Sequence, residues 1–456
     1  MGDPARMLHL SAAALGRAIA AGAADAVEVC DAVLDRIAAY PDKAVFIKLT
    51  PERARREAEA SAQRHRAGRP LGPLDGVPLA WKDLFDMAGE PTTAGSALYR
   101  QTPPVKTDAE VVANLSAAGM VSVGKVNLTE FAYSGLGLNP HFGSPRNPHD
   151  ATTPRVPGGS SSGSAVSVAA NLVPCSIGTD TGGSVRVPAA LNGIVGFKTS
   201  EGRVSKQGCF PLSHTLDTVG PLARDVEDCI LLDAALRGEM PGRIAQAELR
   251  GLRLVVATNV VQEELDEAVA ANFERSLERL SSAGAKIEHR KLDLLDEVQR
   301  VTAAHGSLTA VEAYQVHHRH IESAEAEAID PRVVARILGG RKMSGRDVIE
   351  VQLARRRLAA ELAAELAGAL LVMPTCAHTA PEIAPLEADE DLFHRVNLKT
   401  LRNTMIGNFL GTCGLALPNG HDAQGLPTSI LFSAPGGGDD QLLSHGRALE
   451  RTIGPD

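Results

Sequence analysis

Between residues 72 and 225, short apolar runs are interrupted every few positions by Gly, Ser, Thr and Pro, and this punctuation constrains the fold more than any other feature. Runs such as VVANLSAAGMVSVG (111–124) and NLVPCSIG (171–178) alternate helix-like and strand-like pieces, the pattern of an α/β core. The flanks read differently. Residues 11–40 and 51–68 carry apolar residues at helical spacing, which predicts a helical layer ahead of the core, closed by Gly72, Pro73, Gly76 and Pro78. From 243 to 370 a strand-like GLRLVVA (251–257) leads into long charged helical stretches, among them Arg346 to Gly368. ALLVMPT (369–375), GLALPNG (414–420) and PTSILFSA (427–434) each read as a buried strand. No repeat and no linker separates independent units. The expectation is one large α/β domain over 1–456, with a mixed central β-sheet covered by helices. Its parts are a helical N-terminal layer (1–70), a core (71–230), a variable helical region (231–370) and a C-terminal part of the core (371–456).

Composition narrows the function classes. A formal net charge of −9 without a long Lys/Arg run argues against a nucleic-acid footprint, which needs clustered cations on one face. No stretch of about 18 apolar residues occurs, and the start lacks an unbroken apolar run of the secretory kind. Cys30, Cys175, Cys209, Cys229, Cys376 and Cys413 form no CxxC pair, and a chain of this size needs no staples, so reduced thiols in a soluble cytoplasmic protein are expected.

Three segments can carry chemistry: DGVPLAWKDLF (75–85), GGSSSGS (158–164) and GTDTGGSVRVP (178–188). The third reads as strand, tight glycine turn and first helical turn. Without side chains at Gly182 and Gly183, a carbonyl could approach the N–H groups of residues 181–184, which is what a tetrahedral oxyanion demands. Ser184 would stand at the end of that nest. A serine needs a base, and no His stands in an obvious catalytic context. His214 falls in a loop, while His317, His318 and His320 crowd a charged helical stretch that reads as solvated surface, with no further ligands to make a metal site. Lys82 ends the apolar piece VPLAW, where burial would favour a neutral amine; the competing reading pairs it with Asp83 or Asp86. GGSSSGS contains G-x-S-x-G around Ser161, but TTPRVP before it makes a poor strand for a nucleophile elbow, and it lacks the GK[ST] ending of a phosphate loop.

In this order and spacing the three segments resemble the signature of the amidase signature family: a lysine after a DGVP-like segment, then GGSSGGS, then GTDxGGSxR. The similarity runs on through GKVNLTEFAYSGLGLNPHFGSPRNP, VPAALNGIVGFKTSEGRVS and LDTVGPLARDV, and covers roughly 65–230, with weaker echoes from NFLGTCGLALPNG to GLPTSILF. The resemblance implies Ser184 as acyl-forming nucleophile, Ser160 as bridging serine held by a cis peptide, and Lys82 as terminal base. It implies oxyanion donors at Thr181, Gly182, Gly183 and Ser184, and makes Asp180 and Arg186 a supporting ion pair. Ser162 stands where many members carry Gly, and Trp81 and Leu84 differ from the residues usual beside the lysine; Trp81 or Phe131 could line a ring pocket.

The implied activity is hydrolysis of a small carboxamide or related C–N bond through a seryl acyl-enzyme, releasing ammonia or an amine, with no cofactor and no metal. A small-molecule amide is the expected partner, with no nucleic acid and no membrane; a homodimer is compatible. The alternatives are an A-type subunit of a glutamine-dependent amidotransferase acting with partner subunits, and a catalytically silent binding protein of the same fold.

Overall fold

A central strand covered by helices on both faces can be apolar along its whole length, and here most are. The computed structural model describes residues 4–240 and 244–454, so the ends of the single-domain assignment and residues 241–243 lie outside the described residues. Among the described residues 11 strands form one sheet. In chain order they are β1 (Phe46–Leu49), β2 (Pro78–Lys82), β3 (Val121–Val126), β4 (Cys175–Asp180), β5 (Val195–Lys198) and β6 (Thr218–Ala223). They continue with β7 (Arg253–Ala257), β8 (Lys286–Arg290), β9 (Leu370–Pro374), β10 (Cys413–His421) and β11 (Pro427–Ala434). Their spatial order is β1-β3-β2-β4-β6-β5-β10-β11-β9-β7-β8. The sheet is mixed: β2 runs parallel to β3 and β4, and β7 parallel to β8 and β9, whereas β6, β5, β10 and β11 pair antiparallel across the middle. The exposed positions fall chiefly on the edge strands β1 and β8.

Local signals account for several boundaries. The helical run expected over 11–40 is two helices, Ala12–Ala20 and Ala26–Ala39. Gly22 turns the chain at positive φ between them, and Asp25 caps the second through the Val27 and Glu28 amides. The N-terminal layer also contributes edge strand β1, which the helical expectation did not contain. Within the apolar run 171–178 the strand starts only at Cys175, because the helix Ser162–Ala169 ends into a turn with Asn171 at positive φ. Among the charged helices, Asp293–His305, Leu308–Ile321, Pro331–Arg341, Gly345–Leu366 and Glu390–Phe409 contribute to the wall of the cavity described next.

The histidine stretch differs from its sequence reading. His317 is buried, its ring stacked 4.1 Å from that of Phe131, because it faces inward from its helix while His318 and His320 stay partly exposed. Trp81 does not line the cavity described next: it packs in the main core edge-on to Phe85 and donates its indole N–H to Ser122 Oγ at 3.0 Å. Phe131 is likewise core.

Candidate active site

Side chains alternate along a strand, so with Trp81 turned into one core, Lys82 leaves β2 on the other side. Lys82 is fully buried, and its Nζ donates to Ser160 Oγ at 2.7 Å and to Thr179 Oγ1 at 2.8 Å. The acids expected to compete for it are engaged elsewhere: Asp83 pairs with Lys125 at 2.5 Å, and Asp86 accepts from Thr92. With hydroxyls for neighbours, burial governs the amine and lowers it from 10.5 to about 7, against smaller upward pulls from Cys209, Asp217 and Asp180.

Ser160 follows a cis peptide bond after Gly159. Its carbonyl accepts from the Thr129 and Ser162 amides at 3.1 and 2.9 Å, which fixes the segment beside Lys82. The serine segments are joined through the main chain, Ser161 N donating to Ser184 O at 3.3 Å. Ser161 itself is buried, with its hydroxyl donating to Thr179 O at 3.3 Å. No strand leads into it, so the elbow geometry is not formed.

β4 ends at Asp180, the turn 181–185 follows, and the helix Arg186–Leu191 begins. That helix has no side-chain cap of its own. Asp180 serves instead, accepting from Gly183 N at 2.9 Å, Val185 N at 3.1 Å and Arg186 N at 3.4 Å. Arg186 grips the same carboxylate with Nε at 3.0 Å and Nη2 at 2.9 Å, and Asn408 adds its amide at 2.9 Å. Burial alone would raise Asp180; the Arg186 charge and these hydrogen bonds outweigh it and hold the carboxyl well below the usual range.

One consequence touches the expected oxyanion donors. The Gly183 amide is committed to Asp180, whereas the amides of Thr181, Gly182 and Ser184 have no hydrogen-bond partner among the described residues. Gly183 sits at φ +133, and a Cβ there would strike the Thr404 hydroxyl, which itself donates to Gly182 O at 2.8 Å. The Thr181 side chain is turned away, its hydroxyl donating to Asp217.

Thr181, Gly182 and Ser184 form part of the wall of a cavity of about 710 Å³. Ser184 is 5% exposed, and its hydroxyl makes no hydrogen bond among the described residues, to Ser160 or to any other. Apo catalytic contacts are often long and tighten when substrate arrives. The same cavity is lined by side chains that the sequence reading passed over: Tyr133, Arg336, Arg355, and Arg395, Lys399 and Arg402 on one helix. The last three recur at helical spacing, a legible signal, but one shared with any solvated face. Neither Cys209 nor Cys413 lines this cavity. Among the described residues no cluster of three or more His, Cys, Asp or Glu could hold a metal ion.

The family model described as Amidase matches residues 28–443. Over 407 residues the chain is 36% identical to 2-amino-5-chloromuconic acid deaminase of Comamonas testosteroni, covering 88% of this chain and 87% of that protein. Over 491 residues it is 33% identical to the A-type subunit of the glutamyl-tRNA(Gln) amidotransferase of Salinispora arenicola (strain CNS-205), covering 98% of each. A crystal structure of an amidase superposes with a TM-score of 0.87 at 32% identity, covering 98% of this chain and 100% of that one.

Proposed function

This chain belongs to the amidase family and is an amide hydrolase, and from that premise we propose that it cleaves a small carboxamide through an acyl-enzyme on Ser184. The observation that carries the assignment is the Lys82 amine, dry, near neutrality in pKa and 2.7 Å from Ser160 Oγ. Ser184 Oγ attacks the amide carbon and passes its proton to Ser160, whose own proton moves to neutral Lys82. The developing oxyanion takes the free amides of Thr181, Gly182 and Ser184, and Gly183 contributes by holding the turn to Asp180. Collapse breaks the C–N bond as the Lys82 proton returns through Ser160 to the leaving nitrogen. Water entering by the reverse route then releases the acid. Asp180 and Arg186 brace the turn and make no contact with the reacting atoms.

Replacing Ser184 with Ala should abolish acylation by a small activated ester, read as intact mass, while Ser161→Ala retains it. An acyl adduct on the Ser184→Ala protein would sink the assignment. Substrates open to this cavity include aryl-acetamides, small aliphatic amides and ureides; the Comamonas testosteroni relative is a deaminase of an acid, which brings carboxylated amides into the same panel. The Salinispora arenicola relative favours a second reading, an A-type amidotransferase subunit. Ammonia release by the purified chain alone supports the free-standing amidase; release from glutamine only with added partners supports the second reading. Among the described residues no helix is long and apolar enough to cross a membrane, and the six cysteines are free, which fits a cytoplasmic setting.

A further inference from the structure

The charges facing the cavity are unevenly signed. Arg336, Arg355, Arg395, Lys399 and Arg402 line it against the carboxylate of Glu264, in a chain whose formal net charge is −9. Most of these cations have company. Arg355 pairs with Glu201, Lys399 lies 3.6 Å from Asp266, and Arg402 donates to Glu263 O at 2.6 Å and Asn403 Oδ1 at 3.1 Å. Arg395 is exposed to water.

Arg336 is the exception. It projects from the helix Pro331–Arg341, and its guanidinium lies 4.6 Å from the centroid of the Tyr133 ring, which also lines the cavity. Its Nε is buried without a hydrogen-bond partner, and no carboxylate lies within ion-pair distance of it among the described residues. Burial works against its charge and lowers its pKa. Arg336 as a whole is half-buried, but a guanidinium partly drawn from water without a counter-ion is costly, and stacking on one ring offsets only part of that cost. The missing partner is an anion, and the planar fork of an arginine suits a carboxylate. The surrounding cations focus the field of the cavity in the same sense.

We propose that the cavity selects an amide bearing a carboxylate remote from the scissile bond, and that Arg336, stacked on Tyr133, receives that carboxylate. The proposal rests on the amidase reading of Ser184, and it names the substrate class of that site.

The test compares glutaramate with its near-isosteric neutral diamide, glutaramide, and succinamate with succinamide. The wild-type enzyme should favour the carboxylated member by about 10- to 100-fold in kcat/KM, the range of one charge-assisted contact, with the difference mainly in KM. Arg336→Gln should bring that ratio close to one, and Arg336→Lys should restore part of it. An equal loss on both members, or a wild-type preference for the diamide, overturns the proposal. Calorimetric titration of glutarate into the Ser184→Ala protein, with and without Arg336→Gln, needs no turnover and separates the two levels. Binding that depends on Arg336 without hydrolysis of any amide would keep the anion site and reject the amidase reading; hydrolysis without charge preference would do the reverse.

Discussion

Lys82 closes β2 and Lys198 closes β5, both fully buried in the same sheet and both lowered by burial from 10.5, to about 7 and about 8. Their partners differ. Lys82 donates to two hydroxyls, Ser160 and Thr179, whereas Lys198 donates to the carbonyls of Thr199 at 2.9 Å and Thr412 at 2.8 Å. A hydroxyl can hand its proton to a neutral amine; a carbonyl has none to give. Dryness therefore prepares an amine for base chemistry, and the neighbour decides whether any follows. Lys198 beside Arg186 reads as a pin between β5 and the loop leading into β10.

The largest effect that could break this comparison is at Lys82. Lys82→Ala should cost on the order of 100-fold or more in turnover, the lower range for losing a general base. On the proposed relay the neutral amine is the active form, so acylation should rise with pH through about 7, an apparent value shared by the coupled groups. Lys82→Ala should erase that rise, and Lys82→Arg should not restore it, because guanidinium stays charged. Near-normal turnover in Lys82→Arg would make Lys82 a structural cation like Lys198.

A smaller effect, on stability, is expected at Lys198. Lys198→Met leaves two carbonyls without their donor, at about 1–3 kcal/mol each, partly offset by removing a buried charge. The pH dependence is sharper than the size. Above about 8 the folded state has lost the Lys198 proton while the unfolded state keeps it up to about 10.5, so the unfolded chain binds more protons and stability rises with pH across that window. Denaturant titrations of Lys198→Met should lose that part of the rise and keep the part that begins near 7 with Lys82. The acylation profile should keep its limb; a displaced limb would place Lys198 in the relay.

How much of this was legible in sequence follows from what each residue depends on. Lys82, Ser160 and Ser184 lie in segments whose glycines and serines are needed by the backbone itself, so their pattern survives in one dimension. Which amide Asp180 captures depends on a side-chain direction set by Arg186 and Asn408, the latter far along the chain, and Gly183 could not be separated from its neighbours by reading letters. Arg336 was hidden for another reason. A cation on an amphipathic helix looks the same whether its face meets water or a cavity, and packing against Tyr133 settles which. His317 was misplaced by the same ambiguity in the opposite direction, a buried ring among charged letters.

The finest test of the two-lysine comparison is a single methyl-for-hydroxyl exchange, Thr179→Val. Thr179 Oγ1 accepts from Lys82 Nζ at 2.8 Å, and an acceptor stabilises the ammonium more than the amine. Removing it should lower the Lys82 pKa further, so the rising limb of the acylation profile should move to lower pH by less than about one unit, the scale of one modest hydrogen bond. Turnover below the wild-type limb should then rise slightly, while the plateau falls a few-fold because Nζ has lost one of the two contacts that aim it at Ser160. The matched exchange near Lys198 is Thr412→Val. Lys198 uses the main-chain oxygen of Thr412, and the Thr412 hydroxyl is turned to Gly407 O, so that exchange should leave the limb in place. A limb that moved upward in Thr179→Val, or moved equally in both variants, would mean that the hydroxyl at 179 does not face the base, and the distinction drawn between the two buried lysines would fail.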